Sequence, residues 1–300
     1  MKVLVLGGDG MLGHKVFQVL SDRFDTSATF LERRGAWTRF PVYERVSPAR
    51  TLGGVDASQF HTVVRSVARA RPDAVINCIG VIKQVEEVGD PILTLTLNSL
   101  FPHRLADLCS AGGARLIHMS TDCVFSGRKG HYTEDDVSDA EDLYGRSKFL
   151  GEVDRPGCLT MRTSIIGRDF LKQSALLEWF LAQQGSSVRG YRNAIFTGLT
   201  TQALARVMGD VLAHHSDVHG VLQVASDPIS KLELLRKVRD AMGLDIAVEP
   251  FDDPPCDRSL DGGRFAALTG LRIPPWDEMI HELAADPTPY DEWRQGHAAT

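Results

Sequence analysis

Short apolar runs alternate with stretches of helical spacing through the first half of the chain. Residues 2–6 form an apolar run that stops at Gly7-Gly8, and the next segment places Leu12, Val16, Val19 and Leu20 at helical intervals. A strand, a glycine turn and a helix are the predicted opening. Further apolar runs predict strands over 26–31, 74–79, 115–119 and 158–161, with helices over 58–70, 91–110 and 143–153 between them. Parallel strands need long crossovers, so the alternation predicts an α/β fold: a Rossmann-type doubly wound parallel sheet with helices on both faces. Such sheets bind their ligands at the carboxyl ends of the strands.

After Gly167 the pattern loosens. Helical spacing returns over 171–184, 203–213 and 230–242, punctuated by Asp252-Asp253-Pro254-Pro255 and Pro274-Pro275. The expected organisation is a nucleotide-binding domain over 1–167, with 196–226 returning to it. A smaller C-terminal substrate-binding lobe takes 168–195 and 227–285, and the proline- and charge-rich tail 286–300 is expected to be ordered only in part. No internal repeat is visible.

Composition narrows the class. The 300 residues are 43% hydrophobic and 24% charged, enough for a large core, and the net charge of −6 gives no basic excess for tracking nucleic acid or an anionic membrane. The opening apolar run reaches glycine too soon for a signal peptide, and no run approaches the ~18 residues of a membrane span, so a cytoplasmic enzyme is expected. Five cysteines (Cys78, Cys109, Cys123, Cys158 and Cys256) without a C-x-x-C pair point to reduced thiols, and His214-His215 lacks metal-pair spacing; no metal is expected.

Four stretches carry the chemistry. Gly7-x-x-Gly10-x-x-Gly13 lies between the first strand and the first helix, where glycines let the backbone turn and approach a pyrophosphate on the helix N-terminus at Met11 and Leu12. After the second strand, Arg33 and Arg34 suit the 2′-phosphate of NADPH while Glu32 offers an acid for NADH, so NADPH is favoured with NADH possible. Asp56-Ala57 is placed to border an adenine, with a helix cap by Asp56 as the alternative. Cys78-Ile79-Gly80 ends a strand where a small residue admits the cofactor ribose.

Tyr144 and Lys148 are one helical turn apart, so the ammonium would lower the phenol's pKa for proton transfer to a substrate oxygen while a nicotinamide exchanges hydride. Asn98 precedes Pro102 by four residues, so the proline frees the Asn98 carbonyl and should kink the helix. That carbonyl could hold a water relaying protons from Lys148.

These residues together resemble the extended short-chain dehydrogenase/reductase superfamily, and within it the dTDP-4-dehydrorhamnose reductase (RmlD-like) family. The resemblance runs from Met1 to about Leu283 and is most specific at His118-Met-Ser-Thr-Asp-Cys-Val-Phe-Ser-Gly127 and Tyr144-Gly-Arg-Ser-Lys148-x-x-x-Gly-Glu152. It implies reduction of the 4-keto group of a dTDP- or UDP-linked 4-keto-6-deoxyhexose by NAD(P)H. Thr121 would hydrogen-bond the C4 oxygen, Tyr144 would donate the proton, Lys148 would hold the nicotinamide ribose, and Ser120 would line the nicotinamide pocket. A homodimer is possible.

Two departures bear on the sugar. Cys123 stands where the family has tyrosine, and Lys83-Gln84 follows a strand end unlike the family's alanine-rich turn, so Lys83 would meet a sugar substituent or phosphate, or solvent. An epimerase or 4,6-dehydratase is an alternative, although Thr121-Asp122-Cys123 lacks the Asp-Glu pair that a dehydratase needs. A non-catalytic dinucleotide-binding subunit, like the β subunit of methionine adenosyltransferase, is the other.

Overall fold

β1 (Lys2–Leu6) lies inside the sheet with four of its five residues buried, and its alternation splits the core into two. In the computed structural model, which describes residues 1–32, 40–44, 46–82, 89–170 and 175–297, Val3 and Val5 face one cluster while Leu4 and Leu6 face another. In chain order there follow α1 (Met11–Ser21), β2 (Asp25–Thr29), β3 (Thr51–Leu52), α2 (Phe60–Ala70) and β4 (Ala74–Asn77). Next come α3 (Pro91–Leu95), α4 (Phe101–Ala111), β5 (Arg115–Met119), α5 (Leu143–Leu150) and β6 (Cys158–Arg162).

The second half contributes β7 (Ile165–Ile166), α6 (Leu176–Leu181), β8 (Ser187–Tyr191), β9 (Ala194–Phe196), β10 (Leu199–Thr200), α7 (Thr201–His214) and β11 (Gly220–Gln223). β12 (Ile229–Ser230), α8 (Lys231–Met242), β13 (Ala247–Phe251), β14 (Cys256–Asp257), α9 (Gly263–Thr269), α10 (Trp276–Ala284) and α11 (Tyr290–His297) complete it.

Seven of these strands form a parallel sheet in the order β11-β6-β5-β4-β1-β2-β3, the doubly wound sheet expected from the alternation. The chain reverses its direction of travel between β1 and β4, which opens a crevice at their carboxyl ends. α1 and α7 cover one face through Val16, Phe17, Leu20, Leu204, Met208 and Val211. α2 and α4 cover the other through Val63, Val67, Phe101 and Leu105. Outside the sheet, β8 pairs with β13, β10 with β7, and β9 with β12 and β14.

Two expectations change. The helix expected over 91–110 is instead α3, a π-helical turn over Thr96–Leu100, and α4, whose first turn contains Pro102. Without an N–H at 102 the ladder cannot continue in α register, and the extra residue is absorbed in the wide turn rather than in a simple kink. The tail, expected to be ordered only in part, is described to residue 297 and is tied to the rest of the chain. Asp286 forms a 2.6 Å ion pair with Lys15, Tyr290 is buried, and Trp293 packs on Phe40 and Phe170. Its Asp286 carboxylate is complementary to the Lys15 ammonium buried on α1, which composition alone does not show. The helix expected over 171–184 is α6 alone among the described residues.

Candidate active site

The glycine loop is shaped by contacts that leave no room for side chains. Gly7 has φ +81, and a Cβ there would lie 3.0 Å from Ile79 Cγ1. A Cβ on Gly13 would lie 1.9 Å from the Gly7 carbonyl oxygen, so α1 begins flush against the turn. The Gly7 N–H donates to Thr29 Oγ1 (3.2 Å), the Gly8 N–H to the Thr29 carbonyl (2.8 Å), and the Tyr43 hydroxyl to the Gly8 carbonyl (2.6 Å). Thr29 and Tyr43 were not legible as parts of this loop, because each reaches it from a distant segment. Gly10 caps α1 without any side-chain hydrogen bond, so the amides of Met11, Leu12 and Gly13 are left open at the crevice. A backbone cradle with an uncapped helix N-terminus fits a dinucleotide pyrophosphate.

The cofactor's far end is less defined. Glu32 is exposed, while Arg33, Arg34, Lys83 and Gln84 lie outside the described residues. The Asp56 carboxylate accepts from the Ser58 N–H (2.9 Å) and hydroxyl (2.7 Å) and from Gln59 (3.1 Å), tying a turn before α2, while Ala57 is buried. Asp56 therefore caps that turn and not the helix, whose N-cap is Gln59.

At the carboxyl end of β4, Asn77 accepts from the Ile79 N–H (3.1 Å) and pairs with His118 Nδ1 across the sheet (3.0 Å), which fixes Cys78-Ile79-Gly80. Asn98 is fully buried beside them. It clamps the Val81 backbone with two bonds (2.9 and 3.0 Å) and donates to Ser147 on α5 (3.1 Å). A Cβ on Gly80 would meet Asn98 Oδ1 at 3.0 Å and Lys148 Nζ at 3.8 Å, so β4, the π-helical turn and α5 converge on one point.

The expected water relay is not supported by this arrangement. The freed Asn98 carbonyl is covered by Gly151, where a Cβ would approach it to 1.8 Å. Asn98 thus serves to join three segments of backbone.

Thr121 follows β5 and caps a short turn, its Oγ1 accepting from the Cys123 N–H (3.1 Å). A Cβ on Gly145 would lie 2.2 Å from the Cys123 carbonyl oxygen, and this contact seats the first turn of α5 against the Thr121 turn. Tyr144 is half-buried next to Thr121. Its phenol is not pushed down as expected: burial raises it, Cys123 adds to the rise, and a Thr121 hydrogen bond opposes it. Lys148 is engaged elsewhere. Lys148 Nζ donates to the Met119 carbonyl (2.5 Å), and burial lowers this ammonium to about 8. Ser120 is buried and donates to Glu152 (2.6 Å).

A cleft of about 330 Å³ is lined by Cys123, Phe125, Arg128, Asp142 and Arg258. Arg258, which the motif reading did not single out, donates to the Phe125 carbonyl (2.9 Å) and faces Cys123, Asp122 and Asp142. A groove of about 400 Å³ lies at the opposite, amino end of the strands around Met1, Asp73 and Arg115, and touches none of these residues.

Residues 1–287 match the family model described as RmlD substrate binding domain. A dTDP-4-dehydrorhamnose reductase from Streptomyces griseus is 33% identical over 150 residues, which is 50% of this chain and spans only 43% of that protein's length. The methionine adenosyltransferase 2 subunit beta of Danio rerio is 27% identical over 303 residues, covering 96% of this chain and 87% of its own. Among solved structures, a hypothetical dTDP-4-dehydrorhamnose reductase from Sulfolobus tokodaii superposes with a TM-score of 0.73 at 22% identity, covering 91% of this chain and 96% of that one. Among the described residues no helix is long and apolar enough to cross a membrane.

Proposed function

Because the chain belongs to the RmlD substrate-binding domain family, we propose that it is an NADPH-dependent reductase of the 4-keto group of a nucleotide-linked 6-deoxyhexose. The observation that carries this reading is the convergence of Thr121, Tyr144 and Lys148 at the carboxyl end of β5, beside Gly80 and across the crevice from the open α1 N-terminus. The matching solved structures include a Bacillus anthracis dTDP-4-dehydrorhamnose reductase in complex with NADP. In this chain Gly7, Gly10, Met11, Leu12 and Gly13 would hold the pyrophosphate, and Cys78, Ile79 and Gly80 would border the ribose.

When bound, the nicotinamide supplies hydride to the carbonyl carbon. The residues manage the oxygen. The Tyr144 phenol, kept protonated by burial, is a proton donor to the developing alkoxide, and the direction of its shift suits reduction better than oxidation. The Thr121 hydroxyl gives a second oriented hydrogen bond. Lys148, fixed on the Met119 carbonyl, presents a cation beside Gly80, where a ribose would lie.

Mass spectrometry of products from a panel of dTDP- and UDP-4-keto-6-deoxyhexoses with NADPH tests the reading. One reduced product with matching NADPH loss is expected, and Tyr144→Phe should lower the rate by about 10²-fold or more. Full turnover by Tyr144→Phe would remove the catalytic assignment. A dinucleotide-binding subunit without turnover is the second reading, favoured by the near full-length likeness to the methionine adenosyltransferase subunit. NADPH binding with no product from any sugar in the panel would select it.

A further inference from the structure

The α5 helix is attached to the end of β5 by two successive clips. Lys148 Nζ donates to the Met119 carbonyl (2.5 Å), and the next residue, Ser120, donates its hydroxyl to Glu152 Oε1 (2.6 Å). Glu152 lies four residues beyond Lys148, just past the end of α5. Its carboxylate is gripped by Arg162 of β6 through Nε (2.8 Å) and Nη2 (2.7 Å), and both side chains are 5% exposed. Arg162 also lies over the Phe125 ring at 5.3 Å.

A buried ion pair of this kind costs desolvation on both sides, and an apolar pair of similar volume would commonly hold a fold as well. Packing alone therefore does not account for it. The groups facing Lys148 are few. Cys78 at the end of β4 is a thiol that burial pushes up to about 12, so it carries no charge at neutral pH. His118 on β5 is driven well below its ordinary value by burial and by Lys148 itself, and is a neutral imidazole; His103 on α4 acts on His118 and bonds the Leu150 carbonyl. Tyr144 on the same helix stays protonated, and the Arg162 guanidinium is bound on the Glu152 carboxylate. Among the described residues, the carboxylate acting on Lys148 is Glu152.

We propose that Glu152 is a positioning residue of the active site: held by Arg162 and Ser120, its carboxylate keeps the Lys148 side chain a cation at the end of β5. The proposal rests on the reductase reading only for its kinetic consequence. Burial drags the ammonium down to about 8, and Glu152 is the first of the groups that oppose this. Since Lys148 is charged below its pKa, removing the carboxylate shifts the loss of charge to lower pH.

The test follows the Lys148 side chain directly by NMR of protein labelled with [13C]lysine, the resonance assigned with Lys148→Met. In Glu152→Gln the titration midpoint should fall by about one pH unit, and Glu152→Asp should restore most of it. Glu152→Gln/Arg162→Met, which strands no guanidinium, should keep the lowered midpoint and serves if the single variant fails to fold. The alkaline limb of kcat/KM for sugar reduction should move with the midpoint. A folded Glu152→Gln or double variant with an unmoved midpoint, differing from the parent only in melting temperature, overturns the proposal. If no sugar is turned over, the midpoint still decides: its movement upholds Glu152 while the reductase reading falls.

Discussion

Gly151 meets the Asn98 carbonyl so closely that a Cβ at 151 would lie 1.8 Å from the oxygen and 3.3 Å from Pro102 Cγ. The end of the helix bearing Tyr144 and Lys148 is seated on a carbonyl of the π-helical turn, four residues before Pro102. Gly151→Ala must push α5 off the π-helical turn. The expected cost is about 2 kcal/mol in urea unfolding, with kcat/KM lowered about 10-fold or more by displacement of Lys148. Unchanged stability and turnover would show that the two segments do not depend on this contact.

Lys148→Met should stabilise the protein while abolishing reduction. The ammonium is lowered from 10.5 to about 8 at a site 6% exposed, so burying it as a cation costs on the order of 3 kcal/mol at neutral pH. Part is offset by the bond to Met119, leaving an expected gain of about 1–2 kcal/mol. The sign follows from the depressed folded pKa. The unfolded chain holds the extra proton between pH 8 and 10.5, so parental stability rises across that window and the variant's does not. Equal slopes in chemical denaturation at pH 7.5 and 10 would refute this.

Gly13→Ala tests the dinucleotide cradle without touching the reacting groups. Its Cβ would fall 1.9 Å from the Gly7 carbonyl oxygen, forcing α1 and its open amides away from the turn. NADPH affinity, read by nucleotide fluorescence, should weaken by about 10-fold or more, corresponding to ~1.4 kcal/mol or above. Undiminished affinity would place the pyrophosphate elsewhere.

Acid should loosen the fold through His14. Its Nδ1 donates to the Gly10 carbonyl (2.9 Å), so Nε2 is the acceptor for the Tyr290 hydroxyl (2.7 Å), and burial lowers the ring from 6.5 to about 4. A folded value below the unfolded one means its contribution is complete above pH 6.5 and is lost as pH falls toward 4, by about 3 kcal/mol. Parallel denaturation of the parent and His14→Asn should show the difference between them changing only across that window. A constant difference from pH 7 to 4 would be the contrary result.

Much of the sheet was legible because its central strands are buried on both faces and read as continuous apolar runs. β3 was not, since two residues carry no periodicity. The glycine loop, Thr121, Tyr144 and Lys148 could be located because their spacing is local. The direction of the Tyr144 shift could not, because it depends on the burial of the phenol and on Cys123 facing it, neither of which a pattern encodes. Glu152 stood within a matched motif, yet its meaning emerged only with Arg162 and Ser120 around it. The tail's contacts were hidden for the same reason: Pro287 and its charged neighbours suggest solvent, and only the fold brings Asp286 to Lys15 and Tyr290 to His14.

That last pairing has a temporal consequence. His14 and Lys15 belong to α1, but their partners Tyr290 and Asp286 come 276 and 271 residues later. Until residues 286–290 have been made, the helix that opens the nucleotide cradle holds its imidazole and ammonium without these two partners.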